Sequence, residues 1–139
     1  MTRLFLIALA LTTALIGCNQ EKKIQEGLFK EVMDVHDEVM PEMGTLRKLT
    51  KGLQLKLDSL AADSLHLDPS TKKDMENAIT ELKIANNSMM EWMRQFEQIE
   101  ESTPHGEVMK YLLNQKKLID KVKEDMLKAK KKGEYYLNQ

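Results

Sequence analysis

The sequence predicts an all-α fold, an elongated antiparallel three-helix bundle with coiled-coil-like packing. Lys, Glu, Leu, Met and Asp dominate the 139 residues, whereas Gly, Pro and aromatic residues are sparse, a composition that favours long helices. Apolar residues recur at alternating steps of three and four along three stretches, which is the repeat of packed helices. The connections between these stretches are short, and short connections join antiparallel neighbours in bundles.

The first predicted helix covers about residues 24–61 and is kinked near Pro41. Its apolar stripe is Ile24, Leu28, Val32, Val35, Val39, Met43, Leu46, Leu49, Leu53, Leu57 and Leu60. Because a proline inside a helix removes one backbone hydrogen bond and displaces the preceding turn, we expect the bend at residues 37–40. The stripe keeps its register across Pro41, which favours one bent helix over two separate helices.

The second predicted helix covers about residues 69–101, and Asp68-Pro69 supplies its N-cap and first turn. Its stripe is Met75, Ala78, Leu82, Ala85, Met89, Trp92, Phe96 and Ile99. This alternation of three and four residues is a strong indication of a helix.

The third predicted helix covers about residues 104–132 and follows a second cap-and-proline pair, Thr103-Pro104. Its stripe is Val108, Leu112, Gln115, Ile119, Val122, Met126 and Ala129. Gly133 is the expected C-cap, which leaves 134–139 as a tail and 24–133 as the bundle. An alternative fold is a long helical hairpin that pairs with a second copy to complete its core.

The first 18 residues have the layout of a bacterial export signal. Arg3 precedes a short apolar stretch over 4–16, and small residues lie at its end. The run Leu15-Ile16-Gly17-Cys18 resembles the lipobox of bacterial lipoproteins, in which Leu, a small or branched residue, and Gly or Ala precede a Cys. The resemblance implies that residues 1–17 are a signal peptide that is removed, that Cys18 is lipidated, and that residues 18–23 form a lipidated tether.

This resemblance implies a cell-envelope protein whose N-terminal lipid contacts the membrane. Asn19 stands where enteric bacteria use Asp to retain lipoproteins at the inner membrane, so we expect the outer membrane. Cys18 is the only cysteine, and its lipidation would leave no thiol for a disulfide. Loss of Arg3 with the signal changes the formal charge from −1 to −2, which gives no electrostatic argument for nucleic-acid binding.

Two groups of soft side chains lie on the first and second predicted helices. The first group shares a narrow stripe: Phe29, Met33, His36, Met40 and Met43. The second group surrounds the only tryptophan: Met89, Met90, Trp92 and Met93. If the first hairpin turns around residue 65, antiparallel partners have numbers that sum to about 130, so the two groups should meet.

Thioether sulfur and imidazole nitrogen are ligands that select Cu(I), so this pattern suggests a copper site. Its hypothetical ligands are His36, Met40, Met43, Met89, Met90 and Met93, and Trp92 would add a cation–π contact. The set resembles, in ligand type only, the Met/His/Trp sites of periplasmic copper carriers. Packing of methionine in the core is the favoured interpretation. A third interpretation is that the methionines form an adaptable interface for a protein partner or for self-association.

Other patterns in the sequence give no indication of catalysis. It contains no glycine-rich phosphate loop and no Ser or Cys nucleophile with a plausible base. His66 and His105 lie in different predicted loops without metal-ligand spacing, and we expect both to be solvated. The lysines at 130–132 crowd the end of the third helix, where cations offset the negative helix end. Contact with anionic lipid or polysaccharide is the alternative role for them.

Two strings, His36–Met43 and Met89–Met93, give the chain a second resemblance. They resemble short helical lipoproteins of Bacteroidetes-type bacteria, some of which carry the label "viral A-type inclusion protein". That resemblance implies no activity. The sequence therefore predicts a non-enzymatic cell-envelope lipoprotein that acts as a helical scaffold or binding module, and the alternative is a Cu(I)-binding lipoprotein.

Overall fold

Four α-helices make up the structure, and no strand occurs in the described parts of the chain. The computed structural model describes the backbone of residues 2–62 and 68–139 and the side chains of residues 20–62 and 68–139. The helices are α1 (Thr2–Val39), α2 (Glu42–Ala62), α3 (Pro69–Gln95) and α4 (His105–Leu137). Helix α4 packs against each of the others, and α2 also packs against α3. The all-helical prediction and the packing of three rods, with α1 and α2 as one bent rod, are confirmed.

The bend of the first rod lies at Pro41, as predicted. The Met40 N–H still donates to the His36 carbonyl (2.8 Å), but Pro41 has no N–H to continue the series. Helix α2 then starts at Glu42, and the Met43 N–H donates to the Met40 carbonyl (3.2 Å). The two arms are therefore separate helices on either side of a two-residue turn.

The predicted tether does not form a separate segment, because α1 includes residues 20–23. These residues are Gln, Glu, Lys and Lys, all of which have high helix propensity. No proline or glycine interrupts them. The helix therefore begins before Ile24, where the apolar stripe begins.

The core consists of the predicted stripes with few exceptions. All seven members of the third stripe are buried, including the amide side chain of Gln115. In the second stripe, burial is complete through Trp92 and partial at Phe96 and Ile99. In the first stripe Ile24 is half exposed, because the rod extends past the part of the bundle that covers its apolar face.

Helix α3 begins as predicted and ends six residues before the expected position 101. The Asp68 carboxylate accepts a hydrogen bond from the Thr71 N–H (3.0 Å), so it caps the helix. At the other end the Phe96 N–H donates to the Trp92 carbonyl, and the chain then turns extended. The Tyr111 hydroxyl accepts from the Glu97 N–H (2.7 Å) and donates to the Glu97 carbonyl (3.1 Å). These bonds replace the next helical turn.

Helix α4 continues to Leu137, so the predicted C-cap at Gly133 and the predicted tail are wrong. Gly133 lies inside the helix because the backbone passes close to other rods there. A Cβ atom built on Gly133 would lie 2.9 Å from Leu82 Cδ1 and 3.4 Å from Leu49 Cδ1. The Lys56 ammonium donates to the carbonyl of Leu137 (3.2 Å), which satisfies one acceptor at the helix end. At its start, Pro104 rather than Thr103 occupies the N-cap.

Three Lys–Glu pairs connect α4 to the other helices. The Lys ammonium nitrogen lies 2.6–2.8 Å from the Glu carboxylate in each: Lys123–Glu38, Lys130–Glu42 and Lys132–Glu81. They join α4 to α1, α2 and α3 in turn. Such partly exposed pairs contribute little stability each.

Candidate functional site

The histidine and tryptophan of the predicted soft cluster do meet. The rings of His36 and Trp92 lie 5.6 Å apart between centroids, with 33° between their planes. His36 Nδ1 lies 2.8 Å from a carboxylate oxygen of Asp37, and its side chain is only 12% exposed. The imidazole is therefore held between an indole face and a carboxylate at the level of the Pro41 bend.

The methionines of the cluster lie at different depths. Met43 and Met89 are buried in the core, and Met93 packs against its edge. Met40 and Met90 are about half exposed, at 48% and 53%. A copper ion needs ligands that converge within short bonds. Burial therefore favours a packing role for Met43 and Met89 and leaves Met40 and Met90 accessible from solvent.

The His36–Trp92 stack is the top of an aromatic column that sequence reasoning missed. Trp92 lies 5.0 Å from Phe96 between ring centroids, and Phe96 lies 6.1 Å from Phe29 and 5.9 Å from Tyr111. The Trp92 Nε1 atom is buried without a hydrogen-bond partner among the described residues. The second apolar stripe, which contains Trp92 and Phe96, was the one feature of the sequence that indicated this column. Nothing in the sequence placed Tyr111 against these two rings.

An open cavity of about 580 Å³ lies below this column, between α1, the α3–α4 loop and α4. Its apolar floor contains Phe29, Val108 and Leu112. Its charged lining consists of one lysine, Lys22, and four carboxylates: Glu21, Glu26, Glu100 and Glu101. His105 lies here in a partly buried hydrogen bond with Gln25 (2.8 Å), so the prediction of a solvated loop histidine is wrong for this residue. His66 lies outside the described residues.

A second open groove, of about 540 Å³, lies between α2 and α3. Its charged lining residues are all cationic: Arg47, Lys51 and Lys83. Neutral polar side chains complete the lining: Thr50, Gln54, Asn86 and Asn87. Sequence reasoning did not identify this groove, because the three cations are distributed over two helices without a local motif.

Two geometric searches cover the described part of the chain. No three His, Cys, Asp or Glu side chains in residues 20–62 and 68–139 come together in a way that would hold a metal ion. In the same residues, no helix combines the length and apolar character that crossing a membrane requires. The side chain of Cys18, the predicted lipidation site, lies outside them.

Comparison of the chain with protein-family models, with curated proteins and with solved structures gave no significant match.

Proposed function

We propose that this protein is a non-enzymatic lipoprotein of the bacterial cell envelope, anchored through Cys18, that acts as a helical scaffold or binding module at the outer membrane. The observation that carries the proposal is the Leu15-Ile16-Gly17-Cys18 motif directly before a helical bundle. A lipid at Cys18 would place the acid-rimmed cavity, which begins at Glu21, next to the membrane. One acyl chain holds a protein only reversibly, whereas several acyl chains give stable anchoring.

The proposal includes antiparallel, coiled-coil-like packing of the rods. Two ring contacts support it: Phe29 contacts Phe96, the C-cap of α3, and His36 contacts Trp92. Higher residue numbers on α1 therefore lie opposite lower residue numbers on the second rod. The same packing leaves open grooves at the seams between helices, where a ligand or partner would bind. A sealed apolar core with surface grooves suits a binding module better than an enzyme, which needs converging reactive groups.

The anchor is tested by expressing the full chain and its Cys18→Ser variant in a bacterial host. The parent should label with a fatty-acid probe and remain in the membrane fraction after a high-salt wash. Cys18→Ser should lose the label and leave the membrane fraction. Asn19→Ser is the matched control, because it keeps the lipobox and should behave as the parent. A Cys18→Ser variant that keeps the label would contradict the proposal.

The second candidate function, Cu(I) binding, is favoured by one observation, the His36–Trp92 stack beside solvent-accessible Met40. His36 and Met40 are one helical turn apart, so both can face one ion. Trp92 is the only tryptophan, and its fluorescence should therefore report a metal bound at His36.

Anaerobic Cu(I) titration against a competing chelator tests this candidate. Quenching of Trp92 with affinity tighter than about micromolar, and its loss in His36→Ala plus Met40→Ala, would support copper binding. His105→Ala is the matched control at the other cavity and should titrate as the parent does. Affinity no tighter than micromolar, or unchanged affinity in the double variant, would exclude it.

A further inference from the structure

The described part of helix α1 is held to the bundle by fewer buried side chains than the other helices are. Among residues 20–39, Val32 and Val39 are the only buried side chains, and Leu28 and Val35 are partly buried. Helix α2, of comparable length, buries five leucine and methionine side chains. Because a buried leucine or methionine removes more apolar surface from water than a valine does, this part of α1 gains less from packing than α2.

Polar contacts between α1 and its neighbours are few. Among the described residues, two side-chain hydrogen bonds join α1 to another helix: Gln25 with His105 (2.8 Å) and Lys123 to Glu38 (2.6 Å). The Glu38 side chain is 57% exposed, and exposed ion pairs contribute little stability. Limited apolar packing is therefore the main contribution that holds α1 in place.

The Pro41 bend provides a hinge at the end of α1. Pro41 has no N–H, so the helical series of backbone hydrogen bonds is interrupted there. On the α2 side the Met43 N–H donates to the Met40 carbonyl (3.2 Å) and the Gly44 N–H to the Pro41 carbonyl (3.3 Å). Hinges are typically a few residues at element ends that absorb a change in backbone angles. The turn between α1 and α2 has this form.

The inner side of α1 covers aromatic rings of the second rod. The His36 ring lies 5.6 Å from that of Trp92 between centroids, and the Phe29 ring lies 6.1 Å from that of Phe96. With α1 in place, Trp92 is only 6% exposed. Helices α2, α3 and α4 also pack against one another without α1. Loss of α1 would therefore uncover the rings while these three helices keep their shared core.

We propose that residues 20–39 form a strap that releases as a unit about the Pro41 bend and uncovers Trp92 and Phe96. Helices α2, α3 and α4 stay folded together in the released state. Segments with few buried contacts open at a lower free energy than the core does. Release joins the uncovered rings to the cavity floor at Val108 and Leu112, so the strap controls how much apolar surface the protein presents. The proposal does not depend on lipidation.

Thiol labelling of buried cysteines measures how often each part of the molecule opens. Cys18→Ser gives a full chain without a native thiol, and each test cysteine is introduced into that chain in micelles of an uncharged detergent. Val32→Cys reports the strap and Ala78→Cys reports α3, because both side chains are 0% exposed in the parent. Val32→Cys should react at least about hundredfold faster, since local opening requires less free energy than global unfolding. Equal rates would overturn the proposal.

Two further substitutions distinguish release of the strap from opening of the whole bundle. Ile79→Val, at a buried α3 side chain, should speed labelling of Ala78→Cys about fivefold. It should leave labelling of Val32→Cys within about twofold, because α3 stays folded when the strap releases. Val39→Ala lies in the strap and destabilises the closed state relative to both open states. It should therefore speed both reactions at least about fivefold.

The pattern of these rates decides between the two kinds of opening. If Ile79→Val speeds both reactions equally, the bundle opens as one unit and the proposal is overturned. Unchanged labelling of Val32→Cys in the Val39→Ala background would also overturn it. If circular dichroism shows that Val32→Cys is unfolded, Val39→Cys replaces it as the reporter and Val32→Ala replaces Val39→Ala. Equal labelling of Val39→Cys and Ala78→Cys would then overturn the proposal.

Discussion

The two halves of the bundle are packed with different chemistry. Toward the α2–α3 connection the rods are joined by aliphatic side chains, and the backbone of α4 approaches Leu82 and Leu49 closely at Gly133. Toward the α3–α4 loop they are joined by the aromatic column, whose Phe29 is partly exposed and whose Trp92 Nε1 lacks a partner. The aliphatic half combines tight contacts with complete burial, and the aromatic half borders an open cavity. We infer that stability comes mainly from the aliphatic half.

The largest expected effect is the loss of a fully buried leucine from the aliphatic half. Leu46 has no exposed surface, so Leu46→Ala should lower the free energy of unfolding by about 3 kcal/mol through lost burial and a residual cavity. Chemical denaturation followed by circular dichroism measures the change. Leu55→Ala, at a side chain that is 59% exposed, is the control and should stay within about 0.5 kcal/mol. A similar loss for both variants would mean that the aliphatic half is not tightly packed.

Overpacking the same half should have the next largest effect. Gly133→Val places methyl groups where a Cβ alone would already lie 2.9 Å from Leu82, so it should destabilise the protein by about 2 kcal/mol. The matched control is Gly27→Val in α1, where a Cβ would meet nothing within 4 Å. That variant should change stability by less than about 0.5 kcal/mol. Equal effects of the two substitutions would show that helix propensity, rather than the close approach, determines the result.

The aromatic half should respond mainly to the loss of a polar contact. Tyr111→Phe keeps the ring next to Phe96 but removes the hydroxyl that bonds to the N–H and carbonyl of Glu97. The expected loss is about 1 kcal/mol, the usual net contribution of a hydrogen bond. Hydrogen exchange should also become faster at the Glu97 amide. Tyr135→Phe, at an exposed ring, is the control, and an equal change in that variant would rule out the role of the Glu97 contact.

Most of the core was predictable because helical periodicity is a local property. The third stripe was correct at every position, including Gln115, since spacing alone determines which residues share one face. The bend at Pro41 was equally predictable, because the missing N–H removes a hydrogen bond within the same helix. Helix ends were less predictable. The end of α3 depends on Tyr111, which lies 14 residues beyond its partner Glu97, and the continuation of α4 past Gly133 depends on contacts with α2 and α3.

The candidate sites were predictable only in part, for the same reason. The contact between His36 and Trp92 was predictable from the assumed turn around residue 65, which places the two residues at the same height along the bundle. The burial of each methionine depends on how the helices are rotated about their axes. Methionines that are close together in the sequence therefore include both buried and exposed side chains. The α2–α3 groove had no local signal at all, because its cations come together only when the rods pack.

The smallest expected effect concerns Glu42 and Lys130, which join the start of α2 to α4 next to the bend. The hydrogen bond from Lys130 (2.8 Å) lowers the pKa of the Glu42 carboxyl, and desolvation opposes it in part. A carboxyl whose pKa is lower in the folded state stabilises the protein above its ordinary pKa. That contribution is lost as the pH falls through the lower folded value. Glu42→Gln should therefore reduce stability near neutral pH by less than about 1 kcal/mol.

The pH dependence of stability tests whether the contribution of Glu42 comes from its charge. In acid, below the lowered folded pKa of Glu42, the carboxyl is protonated in the parent as well, so the difference between the parent and Glu42→Gln should disappear. Glu31→Gln, at an exposed side chain without a described ion pair, should show no such difference at either pH. If Glu42→Gln remains equally destabilised in acid, the contribution of Glu42 comes from packing at the bend rather than from its charge.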